Sequence, residues 1–465
     1  MASTEEHDDP AWPPGTVRLE EESGSMEITP QPLPSRDPND PLNWPRPLKY
    51  WNFGLAAFYT LMVFALIDAA TPTWAPMHEQ LGFSYDTLNT SYAVGCGALA
   101  IGAVILNPFA LKYGRRPVYI LSTAIQFGVT IWSAHQQTVA DLMMVNIISC
   151  FVGALAEVVV QMTVADVFFV NQRGTMNALF FWSTRIGASL TPLAAGYVTT
   201  SQGWRWVWWW IAIFFGLLLL AMVFGYEETK FILPPISGIS HSDGGTGKVD
   251  ENSKSPDLHR NAPSNRRTSL KPNGQSIGNE IQRLMSLAPF TGSTLGTLLC
   301  GPLSDWWILF ASKRNKGIYE PEMRLWVMAA FAPFAPIGII LFGVGLSNGW
   351  SWPALAVSYA MCSFGTAPAG TISLTYITDA HTEIVGDAMV GVTFVRNICS
   401  FIIIFALPQW IASSGVQTVY VTIGVLITAI LFGSGLFIAF GKKWRFRFRL
   451  MYRHFARRQF EPRAL

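Results

Sequence analysis

Residues 92–134 read YAVGCGALAIGAVILNPFALKYGRRPVYILSTAIQFGVTIWSA. Two apolar runs, at about 92–111 and 118–134, are joined by a short turn carrying Lys112, Arg115 and Arg116. Neither run holds a Lys, Arg, Asp or Glu. Each approaches the ~20 residues that cross a ~30 Å hydrocarbon core as an α-helix. Lipid offers the backbone no hydrogen-bond partner, so a crossing segment must close its bonds internally. The stretch reads as two membrane helices turning on a basic, cytoplasmic loop.

The pattern recurs. Further runs lie at about 50–72, 142–162, 176–198 and 206–225, and after a polar gap at about 284–303, 325–346, 353–375, 388–407 and 418–440, which makes eleven. Of 465 residues, 50% are hydrophobic and 13% charged, about half the ~25% charge of soluble domains. Mean hydropathy is +0.30. So few charges cannot cover a soluble surface, which excludes a soluble enzyme or a disordered regulator. The five cysteines all lie in apolar runs and give no disulfide framework. The seven scattered histidines contain no His-x-x-x-His pair, so no metal site is expected. Residues 1–49 are polar and lack the apolar core of a cleavable leader.

Twenty-nine of the 32 lysines and arginines fall on alternate loops or on the two ends. That bias places both ends in the cytoplasm. The alternation fails once. The run 284–303 has basic segments on both sides, and one helix cannot begin and end on the same face. Either this run is re-entrant or a partner helix is missing before it. We expect it not to cross as an ordinary helix, or to cross under strain. The chain divides into an acidic disordered cytoplasmic segment (1–49), a first six-helix bundle (50–225), a Ser/Gly/Lys/Pro-rich disordered cytoplasmic linker (226–283), a second, incomplete bundle (284–440) and a basic cytoplasmic tail (441–465). The fold class is all-α and polytopic.

Several stretches between Asp37 and Gly441 carry a resemblance. Asp37-Pro-Asn-Asp-Pro-Leu-Asn-Trp-Pro45 precedes the first run. Asn107-Pro-Phe-Ala-Leu-Lys-Tyr-Gly-Arg-Arg-Pro117 looks like a G-x-L-x-D-R-x-G-R-R motif in which Asn107 replaces the first Gly and Leu111 the Asp. Gly301-Pro-Leu-Ser-Asp305-Trp is its counterpart in the second half. Asp166-Val-Phe-Phe-Val-Asn-Gln-Arg173-Gly174 follows the fourth run. Gly187-Ala-Ser-Leu-Thr-Pro192-Leu-Ala-Ala-Gly196 is similar to an antiporter motif. Gly203-Trp-Arg-Trp206, Gly317-Ile-Tyr-Glu-Pro-Glu-Met-Arg-Leu325 and Arg396-Asn397 complete the series. In order and spacing these resemble the drug:proton antiporter-like transporters, a fungal branch of the major facilitator superfamily. The resemblance implies two bundles and twelve spans, of which the seventh is missing before residue 276.

A transporter needs a pocket near the midplane and groups that couple substrate to an ion. An ionisable side chain inside a span costs at least ~2.5 kcal/mol unless paired or hydrated. Four candidates follow: Glu157, Asp68, Arg185 and Arg396. Glu157, among Ala and Val, suits a proton carrier; the plainer reading is a neutral acid bonded to a neighbouring helix. Arg185 either binds the Glu157 carboxylate or snorkels to the cytoplasmic side. Asp68 is an interfacial carboxylate or a coupling site. Arg396 pairs with Asp379, as an inter-helix strut, or binds an anionic substrate. Arg115, Arg116, Asp166, Arg173 and Asp305 are candidate gating residues, and Gly187, Pro192 and Gly196 carry the antiporter-like motif. Asn89 heads the one usable glycosylation sequon, and Arg266-Arg-Thr-Ser269 is a weak phosphosite. Trp204, Trp206, Trp208, Trp209 and Trp210 read as an interfacial belt, and the basic tail as an anchor on anionic lipid.

The expected function is proton-coupled efflux of a small organic compound, with uptake of a small cation such as a polyamine, or an inert remnant, as alternatives. No cofactor beyond the proton, no nucleic-acid partner, a single-chain carrier and a plasma-membrane location are expected.

Overall fold

The computed structural model describes residues 13–18, 37, 40–230 and 274–460. Thirteen helices account for most of them: α1 Arg46–Asp68, α2 Trp74–Leu81, α3 Tyr85–Tyr113, α4 Arg115–His135, α5 Val139–Val167, α6 Val170–Ser201, α7 Trp204–Gly225, α8 Gly274–Arg314, α9 Glu322–Phe331, α10 Phe334–Ser347, α11 Trp352–Ala380, α12 Val385–Ser414 and α13 Val416–Phe460. Two short strands, β1 (Val17–Arg18) and β2 (Ile318–Tyr319), form an antiparallel pair. Most of the acidic segment, most of the linker and the Arg266–Ser269 phosphosite lie outside the described residues.

Local chemistry sets the boundaries. Ser84 caps α3 through the Thr87 amide at 3.1 Å. Thr138 and Asp141 form a capping box at the start of α5, satisfying amides that the first turn leaves free. Pro333 breaks one span into α9 and α10, because it lacks an amide proton for the ladder. Counting that pair once, and α2 as a surface helix, there are eleven crossings among the described residues. Seven are long and apolar enough to be read as spans by composition; α4, α6, α8 and α11 are not. Of these, α6, α8 and α11 pack on one another between the two halves, where polar residues find partners.

The halves repeat each other's packing. α3 lies on α5 as α8 lies on α11, and α4 on α7 as α10 on α13. Across the interface α3 meets α12 as α8 meets α6. A Cβ on Gly102 would strike the Phe151 carbonyl, and one on Gly292 the Ala360 carbonyl. Small residues thus allow the same close approach twice. One helix has no counterpart. α1 fills the space between α5, α6 and α7, and nothing among the described residues fills the matching space beside α11, α12 and α13. The most apolar window of α7 is 39% buried, whereas that of its counterpart α13 is 6% buried.

The run 284–303 is a full-length helix packed beside α11 and α6, which speaks against the re-entrant reading. It lies inside the continuous helix α8. Gly292 faces Ala360 and Gly296 faces Phe364, so α8 runs parallel to α11. Its later part reaches Gly174 and Thr175 at the inner end of α6 through Asp305. Residues 228–230 are bonded to residues 111–116, also at the inner end. The chain therefore leaves the first half on the inner face and enters the second from the outer face. The reason is the packing demand of α6 and α11, which need a full-length helix between them. Of the two readings, the missing partner helix is the one that fits.

Arg445 near the tail bonds Pro14 and Thr16, so residues 13–18 and the start of the tail share the inner face. In sealed inside-out vesicles we expect impermeant thiol reagents to label cysteines placed at Thr16 and Arg449 but not one at Met285. Labelling of all three from one side would refute the crossing of α8.

Candidate functional site

At the inner end, two guanidinium groups and two carboxylates lie buried together. Arg324 of α9 is fully buried. It donates through Nη1 to Asp305 Oδ1 at 3.0 Å, through Nε to Asp379 Oδ2 at 2.7 Å, and through Nη2 to the Val170 carbonyl of the other half at 2.8 Å. Arg173 of α6 meets Asp379 Oδ1 at 3.5 Å. Asp305 also accepts from the Gly174 and Thr175 amides and from Thr175 Oγ1 at 2.6 Å. Tyr319 donates to Asp379 at 2.7 Å. Burial lifts the Tyr319 phenol well above its usual range despite the neighbouring Arg324, so it keeps its proton. The charges balance and every carboxylate oxygen is engaged, the condition under which buried ions are tolerated. One arginine and the α6 amides come from the first half and the remainder from the second, so the cluster locks the halves together.

A second cluster lies wholly within the first half. Arg115 donates to Asp166 Oδ2 through Nε at 3.1 Å and Nη2 at 2.7 Å. Glu228 accepts from the backbone amides of Arg115 and Arg116 at 2.8 and 3.0 Å, capping α4. Leu111 stands where the motif has an acid, and Glu228 supplies that charge from after α7. Lys230 Nζ binds the Leu111 and Lys112 carbonyls that end α3. Burial draws the Lys230 ammonium below its ordinary pKa, with Arg115 adding to the effect.

At the centre, Glu157 of α5 is buried. Both of its partners stand on α12, in the opposite half. Arg396 pairs with Oε1, and Asn397 Nδ2 donates to Oε2 at 2.9 Å. The Arg396 side chain is 48% exposed. Phe64, Phe180, Phe181 and Leu374 enclose this point, leaving only about 30 Å³, room for about one water. Above it an outer cleft of about 310 Å³ opens between α3 and α12, lined by Trp74, Asn89, Tyr92 and Leu407 among others. The described state is shut at the inner face and open at the outer.

The structure reassigns several expected partners. Arg185 does not bind Glu157, because Arg396 and Asn397 occupy both oxygens. It does not snorkel either: it sits midway along α6, its Nε buried and without a hydrogen-bond partner among the described residues. Arg396 does not pair with Asp379, which Arg173, Arg324 and Tyr319 already hold. It is an inter-helix strut with a different partner. Asp68, the last residue of α1, accepts from the Tyr92 hydroxyl at 3.1 Å. Gly187 lies against the backbone of α1 near Leu61, Pro192 sits inside α6 and Gly196 is buried, so this stretch packs α6 on α1. Asn89 lies within α3, half-buried on the outer cleft. Trp204 and Trp208 are buried while Trp206, Trp209 and Trp210 face outward. Sequence reading missed Arg324 and Glu228. Arg324 stood in the quoted 317–325 stretch; Glu228 had no motif around it.

Comparisons agree with this arrangement. A family model described as Major Facilitator Superfamily matches residues 51–248. An MFS-type transporter of Schizosaccharomyces pombe is 28% identical over 512 residues, covering 90% of this chain and 88% of that protein. Those 512 positions exceed the 465 residues of this chain, so the relative carries stretches that this chain lacks. The efflux pump radE of Floropilus chiversii is 31% identical over 198 residues, 42% of this chain and 36% of that protein. The proton:xylose symporter XylE of E. coli superposes with a TM-score of 0.54 at 12% identity, over 84% of this chain and 96% of XylE.

Removing one member of a buried charge cluster leaves the others uncompensated, at a cost of about 3–5 kcal/mol. We expect Arg324→Ala to lower the melting temperature and to expose inner-end residues such as Asn177 and Thr375 to thiol labelling from the cytoplasmic side after cysteine replacement. Unchanged stability and labelling would mean that the cluster does not hold the halves.

Proposed function

We propose that the chain is a transporter of the major facilitator superfamily that exports a small organic compound in exchange for protons, with Glu157 as the proton carrier. It is a transporter rather than an enzyme. The observation that carries the coupling is that Glu157, a buried acid at the centre, has both partners on the opposite half. While ionised, Glu157 attracts Arg396 and ties α5 to α12. Protonation removes that attraction. Proton binding thus weakens one contact between the halves, while the inner lock holds another. A carrier needs such a link, because a ligand shifts a conformational equilibrium only through its different affinity for the two states.

Export is supported by the antiporter-like stretch from Gly187 to Gly196 and by relatives named as an efflux pump and a multidrug transporter. The central pocket is lined by aromatic and aliphatic side chains around one ion pair, which suits an amphipathic compound larger than the space now present. The protein acts as a single chain, in the plasma membrane.

A second reading is favoured by the space beside α11, α12 and α13 that no helix fills among the described residues. Without a counterpart to α1, the second half presents one flank of the pathway to lipid, and the 465-residue chain transports weakly until that helix is supplied.

One vesicle assay separates these readings. With an imposed pH gradient, we expect efflux of a panel of amphipathic compounds by the chain, or by a variant with an apolar span inserted before Ser276, and its loss in Glu157→Gln at an unchanged protein level. Glu157→Gln that transports normally from acid to neutral pH would remove Glu157 from the mechanism. Recovery only with the inserted span would establish the second reading.

A further inference from the structure

The charge lock is not the outermost layer of the inner face. Residues 13–18 lie against it. Pro13-Pro14-Gly15-Thr16 make a turn closed by the Thr16 amide on the Pro13 carbonyl at 3.3 Å. Gly15 has φ +78, the value a type II turn asks of its third residue after a proline. A Cβ at Gly15 would stand 2.5 Å from the Asp379 carbonyl oxygen and 2.8 Å from Ala380 Cα. Glycine therefore serves twice, for the backbone angle and for contact with the end of α11. Val17 and Arg18 then pair with Tyr319 and Ile318. Tyr319 is the residue whose hydroxyl bonds Asp379 and Arg324 in the lock.

Arg445 of α13 closes the arrangement from the other side. Its Nη1 donates to the Pro14 carbonyl and to Thr16 Oγ1 at 3.2 Å, while its Nε reaches Glu322 at the start of α9 at 2.9 Å. Arg445 and Glu322 are both buried. All these contacts belong to the second half. Farther along the chain, the turn at Pro41–Asn43 packs on α5 of the first half. Lys49 of α1 donates to the Leu42 carbonyl at 2.9 Å.

We infer that residues 13–18 are a strap that fastens the inner face in its closed arrangement, with Arg445 as the group that holds it. The strap braces Asp379 and Tyr319, two members of the lock, and the chain that bears it is anchored to the other half at residues 41–43. Because Asp379 and Tyr319 are second-half members of the lock, lifting the strap loosens the lock and favours parting of the halves at this face. A factor that lifts the strap would raise the fraction of carriers open to the cytoplasm without touching the substrate path. The inference requires only that the halves part at this face, and it stands whatever the substrate.

Hydrogen exchange read by mass spectrometry on the full chain in nanodiscs tests it. Gly15→Val should accelerate exchange several-fold in peptides containing Gly174–Thr175 and Ile318–Tyr319, and leave those of α5 unchanged. A protease site placed between residues 18 and 37, cut after purification, should do the same in a carrier that has already folded, so a folding defect in Gly15→Val cannot obscure the result. Faster exchange at 318–319 alone, with 174–175 unchanged after cutting, would overturn the inference: the segment would then only cover β2.

Discussion

The arrangement of helices depends on four charges kept out of water. Arg324 and Arg173 face Asp379 and Asp305 at the inner end, and no member of this set is satisfied within one helix. Buried ions of this kind contribute little net stability compared with an apolar core, but they punish every arrangement that separates them. They fix the depth of α8 against α6, the direction of α9 after its tight turn, and the end of α11. Their yield is one defined closed state rather than a firmer fold.

A carrier must nevertheless leave that state. The lock joins the halves at one end and the Glu157 pair joins them at the centre, and the two differ in kind. The lock is buried, charge-balanced and saturated with hydrogen bonds. The central pair has one buried member and one half-exposed member. The outer ends of α3 and α12 carry no comparable cluster, and there the cleft is open. The asymmetry explains why the described state is closed on one side only. The unmatched α1 bears on the same point, because α12 is braced by α3 and α5 of the opposite half and, among the described residues, has no α1-like helix behind it in its own.

Much of this was legible in the residues. Run length and charge alternation gave the eleven crossings, and the failure of alternation at 284–303 pointed to the missing partner. The helix α8 was only half legible because topology was weighed above packing: a helix between α6 and α11 is required by both, and lipid-side bookkeeping cannot register that need. Several members of the inner charge clusters were legible because motif glycines and arginines keep fixed spacings. Their partners were not, since Glu228 and Arg324 come from distant chain segments that only the fold brings near. Arg185 and Arg396 illustrate the same limit. Each was recognisable as a costly charge in a span, but which carboxylate each meets depends on helix rotation, which periodicity in a uniformly apolar run does not encode.

The central claim is that one proton on Glu157 alters how the halves meet. Its most direct test is the distance between spin labels at Lys112 and Lys313, one on each half at the inner face, measured by pulsed electron resonance across a range of pH. The account expects a longer-distance population that grows as pH falls, and expects Glu157→Gln to hold that population constant. A distance distribution indifferent to pH in the unsubstituted chain, or equally sensitive to pH in Glu157→Gln, would contradict it.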